Sequence, residues 1–258
     1  MDIFLYVIIF IIGTFFGSFF TLAVYRIPKK EDILIKRSYC PNCNHKLGFF
    51  DLFPVLSYIF LRGKCRYCGN RIRPRYLMLE FFTGLAFLIL AISVKIDILN
   101  INSIINMSFL LIYISILFII AGIDKENIKI EKNVLIFGYI VEAIYIIYQY
   151  TLGNFNVYQY VMYLIWIILL LILSNLSLRN TLKDKYYIQN LYLCLYITIF
   201  NGSKIFILTV ILTLLTIGGL MIAISCNKNK KDIPIGFGLC ISNILIIIMC
   251  NIITNYMI

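Results

Sequence analysis

Four of the eight cysteines fall in two C-x-x-C pairs within one basic segment of the chain. The pairs are Cys40 with Cys43 and Cys65 with Cys68, and 21 residues separate them. Paired C-x-x-C spacing is typical of structural zinc sites, in which four thiolates surround one ion at tetrahedral geometry and leave no position open. Two disulfides or two pairs of reduced thiols are the alternatives, and a cytoplasmic location disfavours disulfides. The spacing therefore predicts one structural Zn²⁺ bound by these four cysteines.

A second group of candidate reactive residues is acidic: Glu80, Asp124, Glu142 and Asp184 lie in or beside apolar runs. A charge in lipid is costly, so such residues usually face a protein interior or a water-filled cavity. Asp124 ends a long apolar run, which places it at the rim of the membrane as a reactive carboxylate or as a helix-capping or solvated acid. Glu80 and Glu142 are either reactive or simple packing acids. Acid–base chemistry at the membrane is therefore a hypothesis.

The elements that position these residues must be membrane helices. Of the 258 residues, 62% are hydrophobic and 14% are charged, whereas soluble domains have about 45–50% and about 25%. A membrane-spanning helix needs about 20 apolar residues. We therefore predict an all-α polytopic membrane protein with about eight transmembrane helices and a small cytoplasmic zinc-binding insert. The predicted spans are 2–25, 77–94, 103–123, 134–151, 157–177, 187–201, 205–226 and 235–256.

The positive charge supports this topology. The net charge is +11, and 12 of the 23 Lys and Arg residues lie between Arg26 and Arg75. If that segment is cytoplasmic, 21 basic residues fall inside and only Lys95 and Lys204 fall outside, as expected from the positive-inside rule. The basic charge thus marks topology, and no nucleic-acid partner is predicted. The predicted domains are a first helix at 1–25, the cytoplasmic insert at 26–75 and a seven-helix catalytic core at 76–258.

Several motifs resemble, in sequence and in order along the chain, those of the type IV prepilin peptidases. The opening is Gly13-x3-Gly17-Ser18-Phe19 followed by Tyr25-Arg26-Ile27-Pro28. The segment that contains the two C-x-x-C pairs is more similar still. It includes Ser38-Tyr-Cys-Pro-Asn-Cys, Asp51-x2-Pro54-x2-Ser57-Tyr58, Leu61-Arg62-Gly63-Lys-Cys-Arg-Tyr-Cys-Gly69, Ile72-x2-Arg75-Tyr76 and Glu80. Late in the chain, Lys231-Asp-Ile-Pro234-Ile-Gly236 resembles the family's IPxG motif.

The resemblance implies a multi-pass protein of the bacterial cell membrane with two activities on its cytoplasmic face. It implies removal of a short basic leader from prepilin or pseudopilin substrates by an aspartate dyad. It also implies methylation of the new N-terminal amine with S-adenosylmethionine, for which the insert and Glu80 are implicated. The bilayer is then the second partner.

Asp124 resembles the family's first catalytic aspartate, but the second aspartate motif, Gly-x-Gly-Asp-x-Lys, is absent. Counting back from Pro234 brings the expected position to residues 184–190. Asp184 is the acidic residue there, so the predicted catalytic pair is Asp124 and Asp184. Asn190 fits the spacing better if Gly202 matches the family glycine, and it would leave one carboxylate.

Two alternative functions follow. The first is a degenerate relative that keeps the zinc domain and binds pilins without cleaving them. The second is a small proton-coupled transporter that uses Glu80, Asp124 and Glu142 as a relay. Transporters usually show inverted repeats and interrupted helices, and neither is detectable in this sequence. The separation of Asp124 from its partner decides between the peptidase and its alternatives.

Overall fold

A computed structural model describes residues 2–33, 37–97, 99–154, 185–200 and 234–253, together with single helical positions between 161 and 172 and at 211 and 215. The described residues are mainly helical and contain no β-strand. A short 3₁₀ turn spans Phe49–Leu52. The α-helices are α1 (Asp2–Arg26), α2 (Leu56–Phe60), α3 (Arg75–Val94), α4 (Ile101–Asn127), α5 (Lys132–Thr151), α6 (Lys185–Phe200) and α7 (Ile235–Ile252).

Five of the described helices are long and apolar enough to cross a membrane, namely α1, α3, α4, α5 and α7. They coincide with five predicted spans, so the predicted class of an all-α polytopic membrane protein is confirmed. Helix α6 has 16 residues and lies at the predicted short span 187–201. The predicted spans 157–177 and 205–226 fall mostly outside the described residues.

Contacts divide the chain into two units, which are described separately. The first comprises Met1–Leu111 with Asn251–Ile258, and the second comprises Ile112–Cys250. The boundary falls within α4. The division into a first helix, an insert and a core at residues 25 and 75 stays a prediction from the sequence.

In the first unit, glycines let α1 and α3 pack closely in antiparallel order. A Cβ on Gly13 would lie 2.8 Å from the Cα of Gly84, and one on Gly17 would lie 2.6 Å from the Cα of Glu80. No side chain fits at such distances, so the backbones are in direct contact. Small residues four apart in a membrane helix allow such close packing, and it fixes Glu80 beside Gly17.

In the second unit, tyrosines join α4, α5, α6 and α7. The Tyr113 hydroxyl of α4 donates to Oδ1 of Asn243 in α7 at 2.8 Å, and its ring stacks on Phe200 of α6 at 3.7 Å. The Tyr139 hydroxyl of α5 donates to the carbonyl of Tyr192 in α6 at 2.7 Å. These contacts join α4 to α6 and α7, and α5 to α6.

Candidate metal centre and active site

The two C-x-x-C segments fold as matching knuckles. In each, the N–H of the first cysteine donates to the carbonyl five residues later, and the residue after the second cysteine donates back to the first cysteine. In the first knuckle the Cys40 N–H donates to the His45 carbonyl at 3.0 Å, and the Asn44 N–H donates to the Cys40 carbonyl at 2.8 Å. In the second, the Cys65 N–H donates to the Asn70 carbonyl at 2.8 Å, and the Gly69 N–H donates to the Cys65 carbonyl at 2.9 Å. The residue after each second cysteine has a left-handed backbone, with φ of 57° at Asn44 and 68° at Gly69, a conformation that glycine and asparagine tolerate best.

The knuckles bring the four predicted ligands together. Their sulfur atoms all lie within 4.8 Å of one another, and the sulfurs of Cys40 and Cys68 are 4.0 Å apart. Zn–S bonds of about 2.3 Å at tetrahedral angles require sulfurs about 3.8 Å apart. All four are free thiols, and the first cysteine of each knuckle is buried while the second is exposed. The cluster can therefore hold a metal ion, and its donors and geometry suit Zn²⁺.

The thiols influence one another's ionisation. The backbone N–H of Asn70 is the largest contribution that lowers the pKa of the Cys68 thiol, to about 7. The backbone N–H of His45 lowers the pKa of Cys43, but burial and hydrogen bonds with Cys68 and Cys40 outweigh it and raise that pKa to about 11. One thiolate thus makes the next harder to form, which is the situation that a bound dication relieves.

Asp51 ties the second knuckle to the turn after the first. Its carboxylate contacts Nε of Arg66 at 2.7 Å and accepts hydrogen bonds from the Tyr67 hydroxyl at 2.9 Å and the Gly48 N–H at 3.0 Å. Burial raises the pKa of Asp51, but Gly48, Tyr67 and Arg66 together outweigh it and lower that pKa. The His45 ring of the first knuckle packs against the Tyr67 ring of the second, with ring centroids 3.7 Å apart.

A cavity of about 710 Å³ lies between the knuckles and the ends of α1 and α3. Arg26 is buried in its wall, where its guanidinium donates to the carbonyls of Asp32 at 2.9 Å and Arg37 at 3.1 Å. Glu80 also lines the cavity, and its Oε2 accepts from the Val55 N–H at 2.8 Å. Sequence analysis placed Glu80 among the candidate acids, and the structure shows it as a link between α3 and the insert.

In the second unit, Asp124 is fully buried near the end of α4. Its Oδ2 accepts from the N–H of Phe237 in the first turn of α7 at 2.9 Å. The Tyr186 hydroxyl of α6 is hydrogen-bonded to the same carboxylate and accepts from the Ile235 N–H at 2.8 Å. Backbone N–H groups at a helix N-terminus stabilise an anion. The Phe237 N–H and the Tyr186 hydroxyl therefore form an anion-binding site for the Asp124 carboxylate.

Asn190 is the second polar side chain at this site. A Cβ on Gly236 would lie 3.2 Å from Oδ2 of Asp124 and 3.3 Å from Oδ1 of Asn190, so both side chains converge on this glycine. Nδ2 of Asn190 donates to the Tyr186 carbonyl at 3.0 Å, which directs Oδ1 towards the site. Oδ1 of Asp124 and Oδ1 of Asn190 are buried without a hydrogen-bond partner among the described residues.

The other predicted acids lie elsewhere. Asp184 lies outside the described residues, so its pairing with Asp124 stays a prediction. Glu142 is buried in α5, and neither of its carboxylate oxygens has a hydrogen-bond partner among the described residues. Sequence analysis missed Tyr186 and the first turn of α7 as partners of Asp124. The motif ending at Gly236 was the signal that could have located them.

Comparisons with known proteins give matches to part of the chain. Residues 11–94 match the family model of the bacterial peptidase A24 N-terminal domain. The prepilin leader peptidase/N-methyltransferase of Myxococcus xanthus is 41% identical over 81 residues, which cover 31% of this chain and 24% of that protein. The protein of the same name from Bacillus subtilis is 35% identical over 130 residues, half of each chain, and that from Klebsiella pneumoniae is 32% identical over 125 residues, 46% and 52% of the two chains.

These matches confirm the resemblance to the prepilin peptidases. The chain spans about half or less of the length of the curated relatives it matches. The family-model match ends at residue 94, before Asp124. No solved structure matches.

Proposed function

We propose that this chain, a membrane protein with the N-terminal domain of the bacterial A24 peptidases, acts on prepilins or pseudopilins at the bacterial cell membrane. Its best-supported activity is that of a prepilin leader peptidase in which Asp124 faces the leader junction. The observation that carries the proposal is the convergence of Asp124 and Asn190 on Gly236 at the N-terminus of α7. A buried carboxylate with one oxygen that has no hydrogen-bond partner among the described residues is suited to hold a water molecule for attack.

The proposed chemistry requires two functions. One carboxylate takes a proton from water, and a second group polarises the scissile carbonyl and shares the proton. Oδ1 of Asp124, which has no partner among the described residues, fits the first function. In the proposed dyad Asp184 supplies the second. The proton taken by Asp124 then passes to the leaving amine as the C–N bond breaks.

A second candidate function is favoured by Asn190, whose side chain lies beside Asp124 where an aspartate dyad would need its second carboxylate. An asparagine amide neither holds nor releases a proton in this chemistry. The site would then recognise a prepilin without cleaving it, or would cleave it slowly.

The test is leader removal from a purified prepilin by the full chain in proteoliposomes, followed by mass spectrometry. The parent protein is compared with Asp124→Asn, Asp184→Asn and Asn190→Asp. Cleavage by the parent that is lost in both Asp124→Asn and Asp184→Asn supports the dyad. An inactive parent that gains activity in Asn190→Asp supports the degenerate site. Cleavage that survives in Asp124→Asn, or prepilin that is neither bound nor cleaved by any variant, contradicts the proposal.

We also infer that the first unit contributes N-methylation of the processed substrate. S-adenosylmethionine, when bound, would supply the methyl group. The cavity beside the knuckles is within the usual size range of cofactor sites, about 300–1,000 Å³. Six basic residues lie in its wall beside the acids Asp51 and Glu80, so the wall offers charges of both signs to a zwitterionic cofactor. The zinc site would hold the wall of this cavity in place. In this proposal the insert lies on the cytoplasmic face and no nucleic acid is a partner.

A further inference from the structure

The segment between the knuckles presents an unusually exposed apolar surface. We call residues 49–60, which contain the 3₁₀ turn and α2, the aromatic turn. Phe49, Phe50 and Phe60 are 73%, 75% and 80% exposed, and Leu56 and Ile59 are 47% and 57% exposed. A contiguous exposed patch of large apolar side chains marks a contact with a membrane or a partner.

The contacts of the aromatic turn place it beside a membrane helix. The Phe53 ring packs on Phe15 of α1 with ring centroids 5.6 Å apart, and Phe49 packs on Phe53 at 6.0 Å. Phe15 lies eleven residues before Arg26, where α1 ends. At 1.5 Å per residue, this contact is about 16 Å along α1 from its basic end.

A second contact gives a similar depth. The Val55 N–H donates to Oε2 of Glu80 at 2.8 Å, and Glu80 lies against Gly17 of α1. Gly17 is nine residues before Arg26, about 13 Å along α1, and Glu80 is five residues after Arg75, about 8 Å along α3. Val55 has φ of 62°, which is an outlier for a β-branched residue. Glu80 therefore holds the turn in place through a strained residue.

The backbone of the aromatic turn is suited to this depth. Irregular backbone is tolerated within the hydrocarbon region only where the protein itself satisfies the polar groups. Pro54 has no N–H, Val55 is bonded to Glu80, and the N–H groups of Leu56 and Ser57 donate to the carbonyls of Pro54 at 2.6 Å and Phe53 at 3.0 Å. Four successive residues therefore need no water for their donors.

We propose that the aromatic turn is a re-entrant element that inserts into the bilayer beside α1 and α3 and packs its exposed phenylalanines against lipid acyl chains. Exposed phenylalanines of the two helices lie at comparable depth, including Phe16 and Phe82, so one lipid-facing surface continues from the helices onto the turn. The basic knuckle residues Arg66, Arg71 and Arg73 are exposed and suit anionic headgroups at the interface.

The inference goes beyond the proposed function and does not depend on it. It divides the predicted insert into knuckles that lie in water and an aromatic turn whose exposed apolar side chains lie in lipid, while the Asp51 carboxylate of the turn faces the second knuckle. Lipid is the assigned occupant because the depth is set by contacts with membrane helices.

The test uses tryptophan fluorescence in proteoliposomes of phosphatidylcholine and phosphatidylglycerol whose acyl chains carry bromine, a contact quencher. The only tryptophan, Trp166, is first replaced by phenylalanine. Single tryptophans are then introduced by Phe50→Trp and Phe60→Trp in the turn, by Phe16→Trp as a lipid-facing control and by Lys46→Trp as a control in the exposed first knuckle. Far-ultraviolet circular dichroism and a single chromatographic peak establish that each variant is folded.

We expect Phe50→Trp and Phe60→Trp to lose at least half of their fluorescence in brominated lipid, as Phe16→Trp does, while Lys46→Trp keeps its intensity. Two positions are used so that failure of one variant to fold leaves the other. Intensities at both turn positions that match Lys46→Trp would overturn the proposal. Quenching that disappears from both positions when a prepilin is added would assign the surface to a protein partner and would also overturn it.

Discussion

The two candidate sites are assembled in different ways. The metal centre is built within about 30 residues by two copies of one knuckle, and each knuckle closes its own hydrogen bonds. The Asp124 site draws on α4, α6 and α7, and its hydrogen bond to Phe237 joins residues 113 positions apart. The first site depends on local turns, whereas the second depends on how helices pack. A change in either site should therefore leave the other largely intact.

The largest effect is expected from loss of a metal ligand. In Cys65→Ser the knuckles lose a thiolate, and because metal binding supplies much of the folding free energy of a small domain, about 10 kcal/mol or more in isolated zinc peptides, residues 38–72 should become sensitive to protease. Metal analysis should find about one zinc per parent chain and almost none in the variant.

Cys250→Ser is the matched control, since Cys250 lies outside the knuckles and is partly exposed. It should keep both the zinc and the protease resistance. Equal protease resistance in Cys65→Ser and the parent would show that the knuckles fold without metal. Loss of prepilin binding at Asp124 in Cys65→Ser would show that the two sites are not independent.

Gly17→Ala should produce the next largest effect. The added methyl group would lie 2.6 Å from the Cα of Glu80, so α1 and α3 must separate, at a cost of about 1–3 kcal/mol. The variant should unfold at lower temperature in detergent, whereas Ile12→Ala, at a 45% exposed position of the same helix, should change little. An unchanged unfolding temperature in Gly17→Ala would contradict the close packing.

The same contrast explains what sequence could predict. The cysteine spacing predicted a cluster that the structure forms, because each knuckle is local. The apolar runs predicted five helices that are described, because hydropathy depends on composition alone. The partners of Asp124 were not predicted, because Tyr186 and the N–H of Phe237 reach it only through packing of three helices. The aromatic turn was missed because its apolar residues lie within a basic segment and have no helical period.

Two glycines in α7 give a smaller and more selective effect. A methyl group on Gly236 would lie 3.2 Å from Asp124 and 3.3 Å from Asn190, whereas one on Gly238 would have no atom within 4 Å. Gly236→Ala should displace both side chains and reduce prepilin binding or cleavage about tenfold, equivalent to about 1.4 kcal/mol. Gly238→Ala should leave activity unchanged and stabilise α7 by up to about 1 kcal/mol. Equal effects of the two substitutions would show that crowding at Gly236 does not matter.

The smallest effect is expected at the ion pair between Asp51 and Arg66. The Arg66 side chain is 52% exposed, and exposed pairs contribute about 0.2–1 kcal/mol. A double-mutant cycle with Asp51→Asn, Arg66→Gln and the combined variant should give a coupling free energy in that range in the thermal unfolding of the zinc-loaded protein.

Because the pKa of Asp51 is lowered in the folded state, the stabilisation by this carboxylate is present above the ordinary carboxyl pKa and is lost as pH falls through the lowered value. At neutral pH, Asp51→Asn should cost more than Arg66→Gln, because the carboxylate also accepts from Tyr67 and Gly48. Equal costs for the two single variants would show that Arg66 is the only partner of Asp51 that matters for stability.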